Sequence, residues 1–235
     1  MKIRRTISIT AAVAGLLLPA AAEESSVMNP PATLKLAETI KVWQAGDTNT
    51  SARQARFSAD GRWLAWSTSD GQLMAYSLET KASQKVWQGV AGSAGDLAWC
   101  PAGGLGACVV RKEADKKSGS LVVWRPGGEA RALPVSEPPM NLAWRDDGKA
   151  VAFATLSGLY LLPLGEGVAQ KLMEAVNGWR PKGAAAYEDV MFAGDAVIAR
   201  VAGTMKWVLK RVGQDTVDLG ECRAVVPDMA RNRLY

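Results

Sequence analysis

The feature that most restricts what this chain can fold into is a segment that returns at near-regular intervals. Arg56-Phe57-Ser58-Ala59-Asp60-Gly61-Arg62-Trp63-Leu64-Ala65-Trp66 is echoed by Leu142-Ala143-Trp144-Arg145-Asp146-Asp147-Gly148-Lys149-Ala150-Val151-Ala152-Phe153. A more divergent copy runs from Leu97-Ala98-Trp99-Cys100-Pro101 to Cys108-Val109-Val110. The anchors Phe57, Trp99, Trp144 and Phe192 stand 42, 45 and 48 residues apart. At such a period each copy is one supersecondary unit that buries its apolar surface against its neighbours rather than within itself.

Inside each copy, runs rich in β-branched and aromatic residues alternate with Gly, Asp, Ser and Pro clusters, the pattern of short strands and hairpins. The first unit reads as strands over 54–57, 63–67, 72–77 and 83–87, and the second over 96–99, 105–110, 120–125 and 129–133. The third reads as 141–144, 150–155, 159–162 and 168–173, and the fourth as 189–192, 196–201, 206–211 and 216–219. Asp60-Gly61, Asp70-Gly71 and Asp147-Gly148 fall between them, where the pair supplies the positive φ that a tight hairpin needs. No stretch keeps a helical period over three or four turns. The expected fold is all-β, a β-propeller of four-stranded antiparallel blades.

Two further matches bear on the ends. Lys41-Val42-Trp43-Gln44 recurs as Lys85-Val86-Trp87-Gln88, the outermost strand of the first unit. Residues 223–226 and 232–235, around Pro227-Asp228-Met229, resemble the start of another unit. Joined with 33–36 and 39–43, they would make a composite fifth blade that leaves no sheet edge open between first and last blades. The expectation is a five-bladed ring over 33–235, with a fragment of a larger propeller as the rival.

With these residues in view the pattern resembles the TolB-type and WD40-like propeller repeats of bacterial envelope proteins, in which a strand, Ser-Pro-Asp-Gly and a second strand follow one another. Here the slot reads Ser58-Ala59-Asp60-Gly61 and Arg145-Asp146-Asp147-Gly148, without the proline. The resemblance covers 54–173 well and 189–235 loosely, and the histidine and Trp-Asp signatures of eukaryotic WD40 repeats are missing. It implies a fold far more than a function, because propellers serve as scaffolds, receptors and enzymes.

At the N-terminus Lys2, Arg4 and Arg5 precede an apolar run from Ile7 to Leu18 that ends at Pro19 and Ala20-Ala21-Ala22. That order is a signal peptide over 1–22, followed by a flexible segment over 23–32. The run falls short of the roughly 20 residues a membrane-spanning helix needs, so no transmembrane segment is expected and the product is periplasmic or secreted. Arg4-Arg5 leaves a twin-arginine route open beside the general one. The full chain carries 28 basic and 23 acidic side chains. Cleavage would remove three basic and no acidic ones, leaving +2. So balanced a chain has no electrostatic footprint for nucleic acid.

Histidine is absent altogether. A Ser-His-Asp or Cys-His centre therefore cannot be assembled within the chain, and transition metals lose their commonest protein ligand. Asp60, Asp70, Asp146, Asp147 and Glu79 sit at expected turns, where Asx-type bonding or solvation accounts for them. No catalytic residue, metal ligand or cofactor is assigned. Of three cysteines, Cys100 and Cys108 flank the first hairpin of the second unit and are a candidate disulfide in an exported protein, and Cys222 is left over.

Most of the nine tryptophans lie in expected strands, where packing between blades uses large rings. Trp179 differs, because it stands in the long insertion 174–188 beside Arg180, Lys182 and Tyr187. Aromatic and arginine side chains on a loop are the composition of a binding hot spot. In a propeller the loops between blades and the loops between second and third strands emerge on one face. That would gather 174–188, Ser136 to Pro139, and the 111–119 loop with Arg111 and Lys112 on one rim. The leading expectation is a non-enzymatic scaffold that binds an envelope protein or peptide there. The alternatives are a propeller enzyme or subunit holding a cofactor or glycan in the central channel, and the sensor domain of a longer protein.

Overall fold

The computed structural model describes residues 50–89, 94–104, 106–111, 119–176, 184–228 and 233–234. Blade 1 comprises β1 (Ala52–Phe57), β2 (Trp63–Thr68), β3 (Gln72–Ser77) and β4 (Ala82–Gln88); blade 2 comprises β5 (Ala94–Trp99), β6 (Gly106–Arg111), β7 (Gly119–Trp124) and β8 (Arg131–Val135). Blade 3 comprises β9 (Met140–Trp144), β10 (Ala150–Ala154), β11 (Gly158–Pro163) and β12 (Gln170–Glu174). Blade 4 comprises β13 (Tyr187–Ala193), β14 (Ala196–Val201), β15 (Lys206–Lys210) and β16 (Val217–Glu221). Each is an antiparallel sheet whose strands pair in chain order, and every strand lies within two residues of its expected bounds. There is no helix among the described residues. The first strands β1, β5, β9 and β13 neighbour one another in succession, so the blades radiate from a shared axis as a β-propeller.

Beyond blade 4, β17 (Pro227–Asp228) pairs with β18 (Arg233–Leu234). Pro227 and Asp228 are thus a ladder rung rather than the turn expected from their composition. The residues before them are used in packing, with Val225 buried against Ile198 and Trp207 of blade 4. Residues 33–43, the other half of the expected fifth blade, lie outside the described residues.

Apolar clusters fill the spaces between blades. Ala65, Leu73 and Ala75 of blade 1 meet Leu97, Val122 and Trp124 of blade 2. Leu121 and Leu133 of blade 2 meet Trp144, Val151 and Phe153 of blade 3, and small residues such as Ala152 and Ala154 let blade 4 come close. The middle strands are accordingly buried along their length, as β10 is throughout, whereas the outer β16 is largely exposed. Gly106 shows how tight this fit is: a Cβ there would come within 2.2 Å of the Trp124 ring.

The repeated Asp-Gly turns shape the first hairpins of blades 1 and 3. In blade 1 the Gly61 amide donates to the Ser58 carbonyl at 2.9 Å, and Gly61 takes φ +68°. Asp60 accepts from the Ser58 hydroxyl at 2.6 Å and the Arg62 amide at 3.1 Å. These bonds, the Ser58 hydroxyl foremost, hold the Asp60 carboxyl below its ordinary range. Asp147 repeats the device, accepting from Arg145 at 2.8 Å and the Lys149 amide at 2.9 Å. Only the glycine of each pair has positive φ. The turn therefore bends over an i to i+3 bond and ends on a left-handed glycine, which differs from a two-residue hairpin with both central residues left-handed.

Candidate site: the channel mouth and the rim face

Three residues before each anchor the inner strand carries a polar side chain: Gln54 before Phe57, Asp96 before Trp99, Asn141 before Trp144 and Asp189 before Phe192. The ladder between first and second strands shifts register at or beside this position in all four blades. Asn141 and Asp189 take φ of 51° and 48°, a left-handed conformation that Asn and Asp tolerate better than most residues. The shift frees backbone amides, and in blades 1 to 3 the side chain at this position reaches the next blade. Gln54 Oε1 accepts from the Leu97 amide at 2.5 Å, Asp96 Oδ2 from the Asn141 amide at 2.9 Å, and Asn141 Nδ2 donates to the Tyr187 carbonyl at 2.9 Å. One position of the repeat thus forms a belt linking all four blades.

A second belt runs nearer the opposite face. The Trp99 indole donates to the Arg56 carbonyl at 2.9 Å and the Trp144 indole to the Ala98 carbonyl at 3.2 Å. Arg56 and Ala98 each immediately precede an anchor, so these bonds are also equivalent. A cavity of about 520 Å³ is bounded by all four inner strands, with Gln54, Asp96, Asn141 and Asp189 on its wall and Phe57, Trp99 and Pro101 further along it. A second space of about 380 Å³ opens beside Asp96, Asn141, Glu188, Asp189 and Arg200. There Arg200 of β14 bridges two carboxylates, Nη2 to Glu188 and Nε to Asp189, each at 2.7 Å, and Nη1 donates to the Thr204 carbonyl at 2.9 Å. Among the described residues no group of His, Cys, Asp and Glu is placed to hold a metal ion.

The loops between blades and the loops between second and third strands do share a face. Glu137, between blades 2 and 3, accepts from the amide of Ser157 at 3.1 Å and from its hydroxyl, and Ser157 lies between β10 and β11. Burial pushes the Glu137 carboxyl up, but its bonds to Ser157 and Thr155 outweigh that and hold it below its ordinary value. The Ala175 amide donates to the Ser157 carbonyl at 2.7 Å, the Ala186 amide to the Thr155 carbonyl at 2.7 Å, and the Ala202 amide to the Ala186 carbonyl at 3.2 Å. This chain of bonds fixes the rim from blade 3 to blade 4. Along it stand Leu156, Val176 and Met205, exposed by 39%, 49% and 56%. Other exposed apolar residues, Val168 and Val212, sit in turns at the opposite face.

Of the expected contact residues, Trp179, Arg180, Lys182 and Lys112 lie outside the described residues. Arg111 ends β6 opposite Gly119, which puts its backbone at the rim. Tyr187 does not share an exposed rim position. Its ring is fully buried between blades 3 and 4, its hydroxyl donates to the Glu174 carbonyl at 2.6 Å, and burial pushes its pKa up to about 12. Ala185 and Ala186, also buried, draw the chain inward just before it. The candidate disulfide needs a correction as well, since Cys100 is a free, buried thiol. Cys108 stands opposite Leu97, three positions along the chain from Cys100. An offset of three residues is roughly 10 Å of strand, beyond the reach of a disulfide. Residues missed in the sequence are Leu156, Val176, Met205 and Arg200, and the repeated polar residue three before each anchor was a signal within reach.

No family model matches the chain, and no curated protein matches its sequence. Solved structures do. A putative TolB from Agrobacterium tumefaciens superposes with a TM-score of 0.56 at 20% identity, over 82% of this chain and 70% of that one. The β-propeller domain of Cps50 (Swd1) from Myceliophteria thermophila gives 0.56 at 17%, over 80% and 64%. Virginiamycin B lyase from Staphylococcus aureus gives 0.53 at 9%, over 76% and 58%. At such identities the likeness is one of fold, and it agrees with the TolB-type and WD40-like pattern of the repeats.

Proposed function

We propose that this β-propeller is an exported, non-enzymatic scaffold that docks a protein or peptide of the cell envelope on the rim face of blades 3 and 4. The observation that carries this reading is the exposure of Leu156, Val176 and Met205 along one bonded stretch of that rim. Large apolar side chains gathered at one edge of a surface, with charged groups beside them, are the composition of a protein interface. Arg200 and Glu188, paired at 2.7 Å, supply the charged border. Trp179 and Arg180 belong to the insertion that begins at Glu174 and would complete the anchor set. The basic, apolar and small-residue order of residues 1–22 supports export. Replacing Leu156 or Met205 by Asp tests the reading: each is expected to weaken partner binding at least about tenfold, the worth of one or two buried anchors, with unchanged thermal stability. Binding that survives both changes would refute it.

A second reading rests on the channel, whose wall carries Gln54, Asp96, Asn141 and Asp189. Such a wall suits a small polar ligand, for instance a glycan, held in the central cavity. Ligand-induced stabilisation that is lost in Asp189→Ala but kept in Leu156→Asp would favour it over rim docking.

A further inference from the structure

Blade 1 turns an apolar face away from blade 2. Leu64, Trp66 and Tyr76 on that face are 2%, 0% and 4% exposed, yet every described residue in their cluster, from Ala52 and Ala55 to Met74 and Leu78, belongs to blade 1 itself. We infer that this face is the docking site for Lys41-Val42-Trp43-Gln44, the outer strand of a fifth blade whose inner hairpin is β17–β18.

Register carries the second half of this statement. In blades 1 to 3 the anchor pairs with the residue seven positions on: Phe57 with Leu64, Trp99 with Gly106, Trp144 with Val151. Pro227 pairs with Leu234, again seven positions on. Two residues before each anchor an apolar side chain packs on the preceding blade, as Leu97 does on blade 1, Leu142 on blade 2 and Val190 on blade 3. Val225, two before Pro227, packs on Ile198 and Trp207 of blade 4. Pro227 is thus the fifth anchor.

The tetrapeptide carries the first half. In its second copy, Val86 and Trp87 of β4 pack against Leu97, Val122 and Trp124 of the next blade. Pairing places Ala55, Met74 and Tyr76 of blade 1 at the positions of those three residues, and all three belong to the apolar face in question. The same four residues therefore meet an equivalent receptor one blade earlier, and the ring closes with strands from both ends of the chain. The inference does not depend on what the rim binds.

Hydrogen exchange on the full chain tests it, because identical tetrapeptides serve as each other's reference. The amides of 41–44 are expected to be slowed as strongly as those of 85–88, and Trp43→Ala is expected to speed exchange in β2 and β3 while leaving β6 and β7 unchanged. Exchange of 41–44 at the free-peptide rate would overturn the inference, as would protection with β2 and β3 indifferent to Trp43→Ala. Should Trp43→Ala not fold, the comparison of the two tetrapeptides in the unaltered chain decides alone.

Discussion

Asp96 in the second blade holds the backbone amide of Asn141 in the third, Oδ2 to N at 2.9 Å, across 45 residues of chain. Asn141 passes the link on through its own side chain to the Tyr187 carbonyl of the fourth blade. Polar residues that look like a channel lining are therefore also the fastening of one blade to the next.

Removing that fastening has an expected consequence. Asp96→Ala strands a partly buried amide and should cost about 1–3 kcal/mol, whereas Asp96→Asn keeps an acceptor and should cost less. Denaturant unfolding of the two variants checks the order.

The indole belt gives a second outcome. Phenylalanine already occupies the anchor slot in blades 1 and 4, so Trp144→Phe preserves the packing and loses chiefly the bond to the Ala98 carbonyl. A loss of about 1 kcal/mol is expected. A loss of several would mean that ring volume, not the bond, matters at that slot.

Close packing in the third blade makes glycine irreplaceable at one point. A Cβ on Gly158 would lie 2.1 Å from the Met173 carbonyl oxygen, backbone that has little room to give, whereas Gly165 has nothing within 4 Å. Gly158→Ala should lower stability by about 1–3 kcal/mol or more, and Gly165→Ala should change it little. Thermal melts of the pair are sufficient.

Titration should show two limits. Tyr187 is raised to about 12, so the contribution of its neutral phenol is complete below the ordinary tyrosine value near 10 and disappears as pH rises through about 12. A phenol ionising at the high end of that interval is expected in a spectrophotometric titration, and Tyr187→Phe should abolish that step. Glu137 is held low, so its contribution is present above the ordinary carboxylate value and is lost as pH falls through the depressed one. Glu137→Gln should flatten the acid limb of the stability profile.

The blades were legible because their signals are local. Alternating strands and Asp-Gly turns fix each hairpin within a dozen residues, and the Ser58–Asp60 and Arg145–Asp147 bonds show the turn chemistry at work. What joins one blade to the next was less so. Trp99 and Trp144 read as packing, and they do pack, but their N–H groups also clip successive blades together. Tyr187 read as a contact residue from its neighbours Arg180 and Lys182, yet a chain leaving the rim must bury its first strand residues against the preceding blade. Cys100 and Cys108 are near in sequence, but strand pairing sets which residues face each other. Exposure of Leu156, Val176 and Met205 depends on which loops share a face, and only the assembled blades reveal it.

Site-specific photo-crosslinking in cells tests the docking role most directly. A crosslinking residue would be placed at Leu156, Val176 or Met205 on the rim and, as controls, at Val168 or Val212 on the opposite face. One adduct mass common to the rim positions, absent from the controls and lost when Trp179→Ala is added, is the expected result. Adducts from both faces alike, or from neither, would contradict docking on the rim.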